Sequence, residues 1–342
     1  MDDTRDPLIA VDDVHVTFKT MAGEVEALTG VSFDIHPNET VAVVGESGSG
    51  KSVTALAIMG LLDGGGVSGG RIVSGGRNLA AMSEKQLRGV RGSEIAMIFQ
   101  DPMTCLDPLY TVGNQVVEAI RLHHKVSKKE ATQQAIELLA QVGIPDPEKR
   151  IRSYPHQLSG GQRQRVMIAL ALACKPRLLI ADEPTTALDV TVEAQILQLL
   201  RDLQKEYEMS ILLVTHDMGV VAEMADRVVV FYAGQVVEQG RVDQVLRDPR
   251  HPYTTALFEG IPTPHTDRSE PLTAIPGAVP SLRELPSGCR FNPRCRLAFD
   301  KCTSGAVPLF ALPDGRQSRC WLAETDDASR SVSEPLAAEV AQ

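Results

Sequence analysis

A glycine-rich loop in the first sixth of the chain carries the residues best suited to phosphate chemistry. Residues 45–52 read GESGSGKS and fit the pattern G-x-x-x-x-G-K-[ST]. The glycines let successive backbone N–H groups approach phosphate oxygens, Lys51 offers a charge to the β- and γ-phosphates, and Ser52 offers a hydroxyl to Mg²⁺. The pattern predicts a nucleotide-binding loop made of Gly45, Glu46, Ser47, Gly48, Ser49, Gly50, Lys51, Ser52 and Val53.

Two adjacent carboxylates end an apolar stretch further along the chain. The segment RLLIADEP is typical of a buried strand that finishes at Asp182 and Glu183. There the first acid can join the coordination sphere of Mg²⁺, and the second can orient and polarise an attacking water. The alternative, two solvated acids at a strand end, is disfavoured by the phosphate loop upstream. The two motifs together predict a nucleoside triphosphatase.

The pentapeptide LSGGQ at residues 158–162 indicates the class of triphosphatase. With it, and with MIFQDP, TTALD and LLVTHD in the same order, residues from about 10 to 260 resemble the ATP-binding cassette (ABC) superfamily. The resemblance implies ATP and Mg²⁺ as cofactors, with Mg²⁺ held through Ser52, Gln100 and Asp182. It implies catalytic roles for Lys51, Gln100, Glu183 and His216, and nucleotide contacts from Ser159, Gly160, Gly161, Gln162 and Asp189, the signature residues acting on the ATP of a second ATPase subunit.

Phe18, in the segment VHVTFKT, is the candidate for an aromatic ring that stacks on adenine. A strand phenylalanine buried in the core is the alternative interpretation. Both interpretations place the residue on a strand near the N-terminus, so the sequence leaves the choice between them open.

The elements that must position these residues follow from periodicity. Residues 9–40 alternate like antiparallel strands, residues 41–99 and 177–240 alternate apolar strands with helices, and residues 101–172 are largely helical in pattern. The predicted fold is α/β: an ABC-type P-loop NTPase core with a mainly parallel sheet, an antiparallel β subdomain and a helical subdomain at about residues 101–172. We predict that the cassette occupies residues 1–260 and a small Cys-rich C-terminal domain residues 261–342.

Charge and hydropathy restrict the location and the partners. The net charge of −10 disfavours nucleic acid as a partner, and the acidic N-terminus does not look like a signal peptide. The longest apolar run, residues 166–174, is far below the ~20 residues that span a bilayer. We therefore expect a protein of the cytoplasm that is at most peripheral to a membrane, where stable disulfides are rare.

Four of the six cysteines lie near the C-terminus, at Cys289, Cys295, Cys302 and Cys320. Their spacing differs from the C-x-x-C pattern of a zinc knuckle. Four thiolates in a short loop can hold either Zn²⁺ or an iron–sulfur cluster, and unligated thiols or redox disulfides are the remaining alternatives. No substrate pocket is recognisable nearby, so we expect a structural role.

A second, narrower resemblance follows from HPYT, GCRFNPRC and DGRQSRCW. These segments are similar to the oligopeptide/dipeptide importer ATPases, most closely to the dipeptide-permease type. The resemblance implies a [4Fe–4S] cluster held by the four tail cysteines and ATP hydrolysis coupled to import of dipeptides or short oligopeptides. It implies partners: a second ABC ATPase subunit in a heterodimer, two transmembrane permease subunits and a periplasmic or extracellular peptide-binding protein.

The same resemblance places the chain on the cytoplasmic face of a bacterial inner membrane, as a peripheral subunit. Importers of nickel chelates or of another small solute share this type of ATPase and are the alternative. A soluble ABC ATPase acting outside transport is disfavoured, because such proteins usually carry two cassettes or a coiled-coil insertion, and this chain shows neither.

Overall fold

The computed structural model describes residues 6–21, 23–186, 188–260 and 275–324. Segments 261–274 and 325–342 of the predicted C-terminal domain lie outside the described residues. The strands are β1 (Ile9–Thr20), β2 (Gly23–Ile35), β3 (Thr40–Val44), β4 (Gly65–Ser74), β5 (Arg77–Asn78), β6 (Ile95–Ile98), β7 (Leu178–Asp182), β8 (Ser210–Val214), β9 (Arg227–Tyr232), β10 (Gln235–Arg241), β11 (Phe310–Ala311) and β12 (Gln317–Ser318).

The helices alternate with these strands in the order that the sequence predicts. They are α1 (Lys51–Met59), α2 (Glu84–Val90), α3 (Pro102–Cys105), α4 (Val112–His123), α5 (Lys128–Gln141), α6 (Pro147–Arg150), α7 (Gly160–Leu172), α8 (Val190–Tyr207), α9 (Met218–Met224), α10 (Val242–Arg247) and α11 (Pro252–Glu259). Among the described helices, none is both long and apolar enough to cross a membrane.

The chain divides into two compact units that are each discontinuous in sequence. The first combines the chain up to Leu8 with Ile35–Thr40 and Ala81–Val214. The second combines Ile9–Asp34 and Val41–Ala80 with the chain from Thr215 onward. This division groups the phosphate loop with residues 275–324, which carry Cys289, Cys295, Cys302 and Cys320 and are called the cysteine-bearing segment below. The boundary between residues 260 and 261 stays a prediction.

In the first unit, three parallel strands lie side by side in the order β6, β7, β8. Every residue of β7 and β8 is buried, which is why both segments read as unbroken apolar runs. Helices α3, α4, α5 and α7 pack on one another within this unit, as the predicted helical region requires. On α4 the buried residues include Val112, Val116 and Ile120, a stripe at every fourth position.

The second unit contains two groups of strands. One is antiparallel, in the order β2, β1, β4, β5. The antiparallel piece predicted at residues 9–40 supplies only β1 and β2, and β4 and β5 come from the region predicted to alternate strands and helices. In the other, β3 runs parallel to β9, and β10, β12 and β11 continue antiparallel from β9. The sheet pairing is therefore mixed rather than mainly parallel. The reason is that β11 and β12 come from the cysteine-bearing segment, and β12 pairs with β10 through Glu238 and Ser318.

An aromatic cluster lies in the core of the second unit. Tyr232 and Tyr253 are fully buried, Phe291 is almost so, and their ring centroids are 4.6 to 5.3 Å apart. Such tilted and edge-on pairs add specific stabilisation to apolar burial. The cluster joins β9, α11 and the cysteine-bearing segment in one core.

Candidate nucleotide-binding site

The phosphate loop follows β3 and has the backbone that its glycines permit. Gly45, Gly48 and Gly50 have φ angles of +147°, +76° and +108°. A Cβ on Gly45 would lie 2.2 Å from the Phe231 carbonyl oxygen, and one on Gly50 would lie 2.6 Å from a Leu28 methyl. Side chains at either glycine would therefore displace their neighbours as well as strain the loop. The loop passes directly into α1, whose N-terminal N–H groups favour an anion.

Lys51 is buried, and its ammonium group lies within the loop. Its Nζ donates hydrogen bonds to the carbonyl oxygens of Gly45 at 2.7 Å and Glu46 at 3.1 Å. Ser52 and Val53 follow it in the first turn of α1. This places a positive charge and a hydroxyl at the point where the loop enters α1, which is where a phosphate loop needs them.

The acidic pair lies at the end of β7 in the first unit. Asp182 is its last residue and is 6% exposed. Glu183 follows with a left-handed φ of +46°, which is uncommon outside glycine and is often found at functional sites. Glu183 Oε2 accepts hydrogen bonds from Gln100 Nε2 at 3.0 Å and from Thr186 Oγ1 at 2.9 Å. The structure thus brings the predicted catalytic residues Gln100 and Glu183 into direct contact.

The signature pentapeptide forms the start of α7. Ser159 is the N-cap, and its hydroxyl accepts from the Gln162 N–H while the Gln162 side chain accepts from the Ser159 N–H. Gly160 and Gly161 occupy the first turn, and a Cβ on Gly161 would lie 2.8 Å from Val192 of α8. The S-G-G-Q spacing is therefore also a capping box, which fixes the helix end that would face a phosphate.

The remaining predicted residues are placed as follows. Asp189 is exposed and caps α8 by accepting from the Val192 N–H at 3.0 Å. His216 is exposed and lies two residues before the first residue of α9. Phe18 is half-buried in β1 with its ring over Gly65, where a Cβ would approach within 2.5 Å. The roles carried over to these residues stay predictions.

The four tail cysteines line one small cavity in the second unit, together with aromatic residues including Trp321. All are free thiols; Cys302 and Cys320 are buried, and Cys289 and Cys295 are half-buried. Burial raises the pKa of Cys289 and Cys295, and that of Cys320 to about 12. Within the described ranges, no group of three or more His, Cys, Asp or Glu side chains is arranged to hold a metal ion.

Three residues that contact the site were not singled out by the sequence. Thr186 binds Glu183, Tyr253 OH accepts from the Glu46 N–H at 2.9 Å, and Arg294 forms an ion pair with Glu46. The capping spacing of Ser159 and Gln162 is a local signal that could have been recognised. Tyr253 and Arg294 lie within HPYT and NPRC, but their partner is more than 200 residues away, and no local pattern indicates it.

Solved structures define the class of protein. The fold is similar to a dimeric structure of the ATP-binding cassette MJ0796 in a post-hydrolysis state with ADP and Pi, with a TM-score of 0.62, 30% identity, and coverage of 68% of this chain and 98% of that one. It is also similar to cbiO1 of Clostridium perfringens, part of the ABC transporter complex cbiONQ, with a TM-score of 0.60, 31% identity, and coverage of 70% and 91%. The protein has the ABC-type P-loop ATPase fold.

Sequence relatives define the family. The sequence-family model for the ABC transporter matches residues 28–186. The sequence-family model for the oligopeptide/dipeptide transporter C-terminal region matches residues 237–302. The chain is 52% identical to the oligopeptide transport ATP-binding protein OppD of Bacillus subtilis, covering 93% of this chain and 90% of that protein. It is 51% identical to the dipeptide transport ATP-binding protein DppD of Escherichia coli, covering 94% and 98%. The chain belongs to this family and is an ATPase subunit of an oligopeptide/dipeptide ABC importer.

Proposed function

We propose that ATP hydrolysis by this chain drives import of dipeptides or short oligopeptides from the cytoplasmic face of a bacterial inner membrane. In this proposal the chain pairs with a second ABC ATPase subunit and binds two permease subunits, which receive cargo from a peptide-binding protein. The names of OppD and DppD support the cargo class. The dimeric MJ0796 structure supports the pairing of two cassettes.

The residues divide the work of hydrolysis by their chemistry. Lys51 and the loop N–H groups neutralise the triphosphate, and Ser52, Gln100 and Asp182 would hold Mg²⁺, which when bound screens the phosphate charge. Glu183 orients and polarises the attacking water, and His216 binds the γ-phosphate. Ser159, Gly161 and their helix end complete the site of the partner subunit.

The observation that carries this assignment is the fixed carboxylate of Glu183. One of its oxygens accepts hydrogen bonds from both Gln100 and Thr186, so the group is oriented before substrate arrives. Preorganised groups act in a transition state without a cost for reorganisation. A general base must also lie within hydrogen-bond reach of its water, and an ionised carboxylate has about four acceptor sites, so it can accept from protein donors and from a water together.

The test is Glu183→Gln in the assembled transporter in proteoliposomes, with ATPase rate and uptake of a labelled dipeptide as readouts. We expect a loss of about 10²- to 10⁴-fold in hydrolysis, the usual contribution of a general base, with ATP still bound. Glu148→Gln, at an exposed position on α6, is the matched control and should hydrolyse ATP normally. Near-normal turnover of Glu183→Gln refutes the base assignment. If the wild-type transporter hydrolyses ATP but takes up no dipeptide, the proposed cargo class is refuted.

We also propose that the described residues 275–324 belong to a small Cys-rich domain whose four cysteines bind a [4Fe–4S] cluster. The support is the donor set: four free thiols that line one cavity, in a segment whose strands are only two residues long each. Cys₄ ligation is the usual one for such clusters. When bound, the cluster would cross-link the loops that carry the four thiolates.

Anaerobic purification followed by iron, sulfide and zinc analysis tests the cluster. We expect about four irons and four sulfides per chain and absorption near 400 nm, a ratio set by the cluster type. A colourless protein with one zinc per chain would rule the cluster out, and so would a metal-free protein that folds normally.

A further inference from the structure

The Glu46 side chain, at the second position of the phosphate loop, is held by an arginine 248 residues further along the chain. Arg294 Nη1 and Nη2 donate to its two carboxylate oxygens at 2.7 and 3.0 Å. The Arg294 side chain is 5% exposed and that of Glu46 28%. A planar guanidinium engages a carboxylate with two parallel bonds, so such a pair fixes orientation as well as distance. This contact restrains the loop more than an exposed ion pair would.

Arg294 is itself fixed by groups of its own unit. Its Nε donates to the Pro276 carbonyl oxygen at 2.8 Å, and its Nη1 donates to Tyr232 OH at 3.2 Å. The guanidinium also lies 5.8 Å from the centroid of the Tyr232 ring. Because these contacts orient the guanidinium independently of Glu46, it is a rigid support for the loop.

The backbone of the same loop residue is held from a second direction. Tyr253 OH accepts a hydrogen bond from the Glu46 N–H at 2.9 Å. Tyr253 is fully buried against Tyr232 and against Phe291, which lies three residues before Arg294. Glu46 is therefore restrained at its side chain by Arg294 and at its main chain by Tyr253.

A second arginine of the segment supports the other end of the loop. Arg290 Nη1 donates to the Ala233 carbonyl oxygen, and its Nη2 donates to Thr29 Oγ1 at 3.0 Å. The next residue, Gly234, donates its N–H to the carbonyl oxygen of Ser49 at 2.8 Å. Because Ser49 lies in the phosphate loop, Arg290 supports the loop indirectly, through the turn at Ala233 and Gly234.

We propose that the segment Cys289–Cys295 braces the phosphate loop, with Arg294 as a positioning residue for nucleotide binding. The loop binds phosphate through N–H groups that must point to one place, and a loop that is already ordered avoids the ordering cost on binding. The brace acts on substrate and transition state alike, so its loss raises KM for ATP and leaves kcat nearly unchanged. This proposal rests on ATP binding at the loop, which titration of the wild-type chain tests separately.

A double-mutant cycle on the full chain tests the brace, with the Kd for MgADP measured by calorimetry. We expect Arg294→Ala and Glu46→Ala each to weaken binding about tenfold, which corresponds to about 1.4 kcal/mol. The double variant should bind about as weakly as either single variant, because both remove the same contact. Arg296 lies two residues after Arg294 and forms an exposed ion pair with Glu259, so Arg296→Ala is the control and should keep the wild-type Kd within twofold.

Steady-state kinetics of the assembled transporter separate positioning from general stability. Arg294→Ala should raise KM for ATP with kcat kept within about twofold, and Arg294→Lys, which cannot form the two-bond pair, should restore only part of the affinity. An additive double variant, or Arg294→Ala with a lower melting temperature and an unchanged Kd, overturns the proposal. If Arg294→Ala does not fold, Glu46→Ala decides: an unchanged Kd overturns the brace, and a tenfold loss at an unchanged melting temperature supports it.

Discussion

The phosphate loop and the cysteine-bearing segment belong to the same unit but are held in different ways. Within the loop, Lys51 bonds to Gly45 and Glu46, and the Ser49 N–H bonds to the Glu46 carbonyl oxygen, all inside a few residues. The cysteine-bearing segment also has local contacts, such as the Asn292 N–H to the Cys289 carbonyl oxygen, but it adds partners far away in sequence, such as Glu46, which Arg294 contacts across 248 residues. Local contacts specify the internal form of the loop, whereas the distant contact with Arg294 is shared: it restrains Glu46 and also fixes the place of the segment.

This difference indicates that the two regions have separate roles: the loop carries out the nucleotide chemistry, and the segment supports the loop. The loop carries the charge and the N–H groups that a phosphate needs, and a change there should alter catalysis while sparing the fold. The segment carries no group that touches nucleotide in this assignment, so a change there should alter stability or affinity first. Substitutions in the two regions can confirm or contradict this separation.

Among substitutions in these two regions, the largest effect is expected for Lys51→Ala in the loop. The ammonium group supplies charge to the β- and γ-phosphates, and loss of one such group from a preorganised site costs about 10²- to 10³-fold in rate. Melting temperature should change little, because the hydrogen bonds that Lys51 makes to loop carbonyls are local. ATPase assays of the assembled transporter and thermal unfolding of the chain measure the two quantities. Retention of more than a tenth of the activity would contradict the assignment.

The same contrast explains what could be predicted from the sequence. The loop, the acidic pair and the signature were recognisable because each is a contiguous pattern with a chemical reason, and the order of strands and helices followed from periodicity. The pairing of β12 with β10 and the contact of Arg294 with Glu46 could not be predicted in this way. Each joins segments that are far apart in sequence, and no local pattern indicates which segments meet in the fold. Strands of two residues, such as β11 and β12, are also too short to show an alternation of apolar and polar residues.

The next largest effect is expected for Cys302→Ser, which changes a buried cysteine of the cavity. If the four thiols bind a cluster, the variant should lose most of its iron and about 3 kcal/mol or more of unfolding free energy, as for other metal-site losses. Cys105→Ser is the matched control, because Cys105 is exposed and lies in α3, outside the cavity. Iron content and urea unfolding measure both. Equal iron in the two variants would place the metal elsewhere.

The smallest effect is expected at Glu238, on β10 where the strand of the cysteine-bearing segment pairs. Burial raises the pKa of Glu238 from 4.5 to about 7, although its carboxylate accepts the Arg250 and His251 N–H groups. The folded state therefore holds this proton more tightly than the unfolded state. Its contribution to stability is complete below pH 4.5 and is lost as the pH rises through 7.

Glu238→Gln removes this titration and leaves the neighbouring groups in place. From pH 5 to pH 8 the wild type should lose about 2–3 kcal/mol of unfolding free energy that the variant does not lose, as measured by urea unfolding at both pH values. Burial lowers the pKa of His251 to about 3, which adds stability as the pH rises, but it does so in both proteins and cancels in their difference. Parallel curves for the two proteins would mean that Glu238 keeps an ordinary pKa in the folded state, and that its buried position on β10 tolerates a charge.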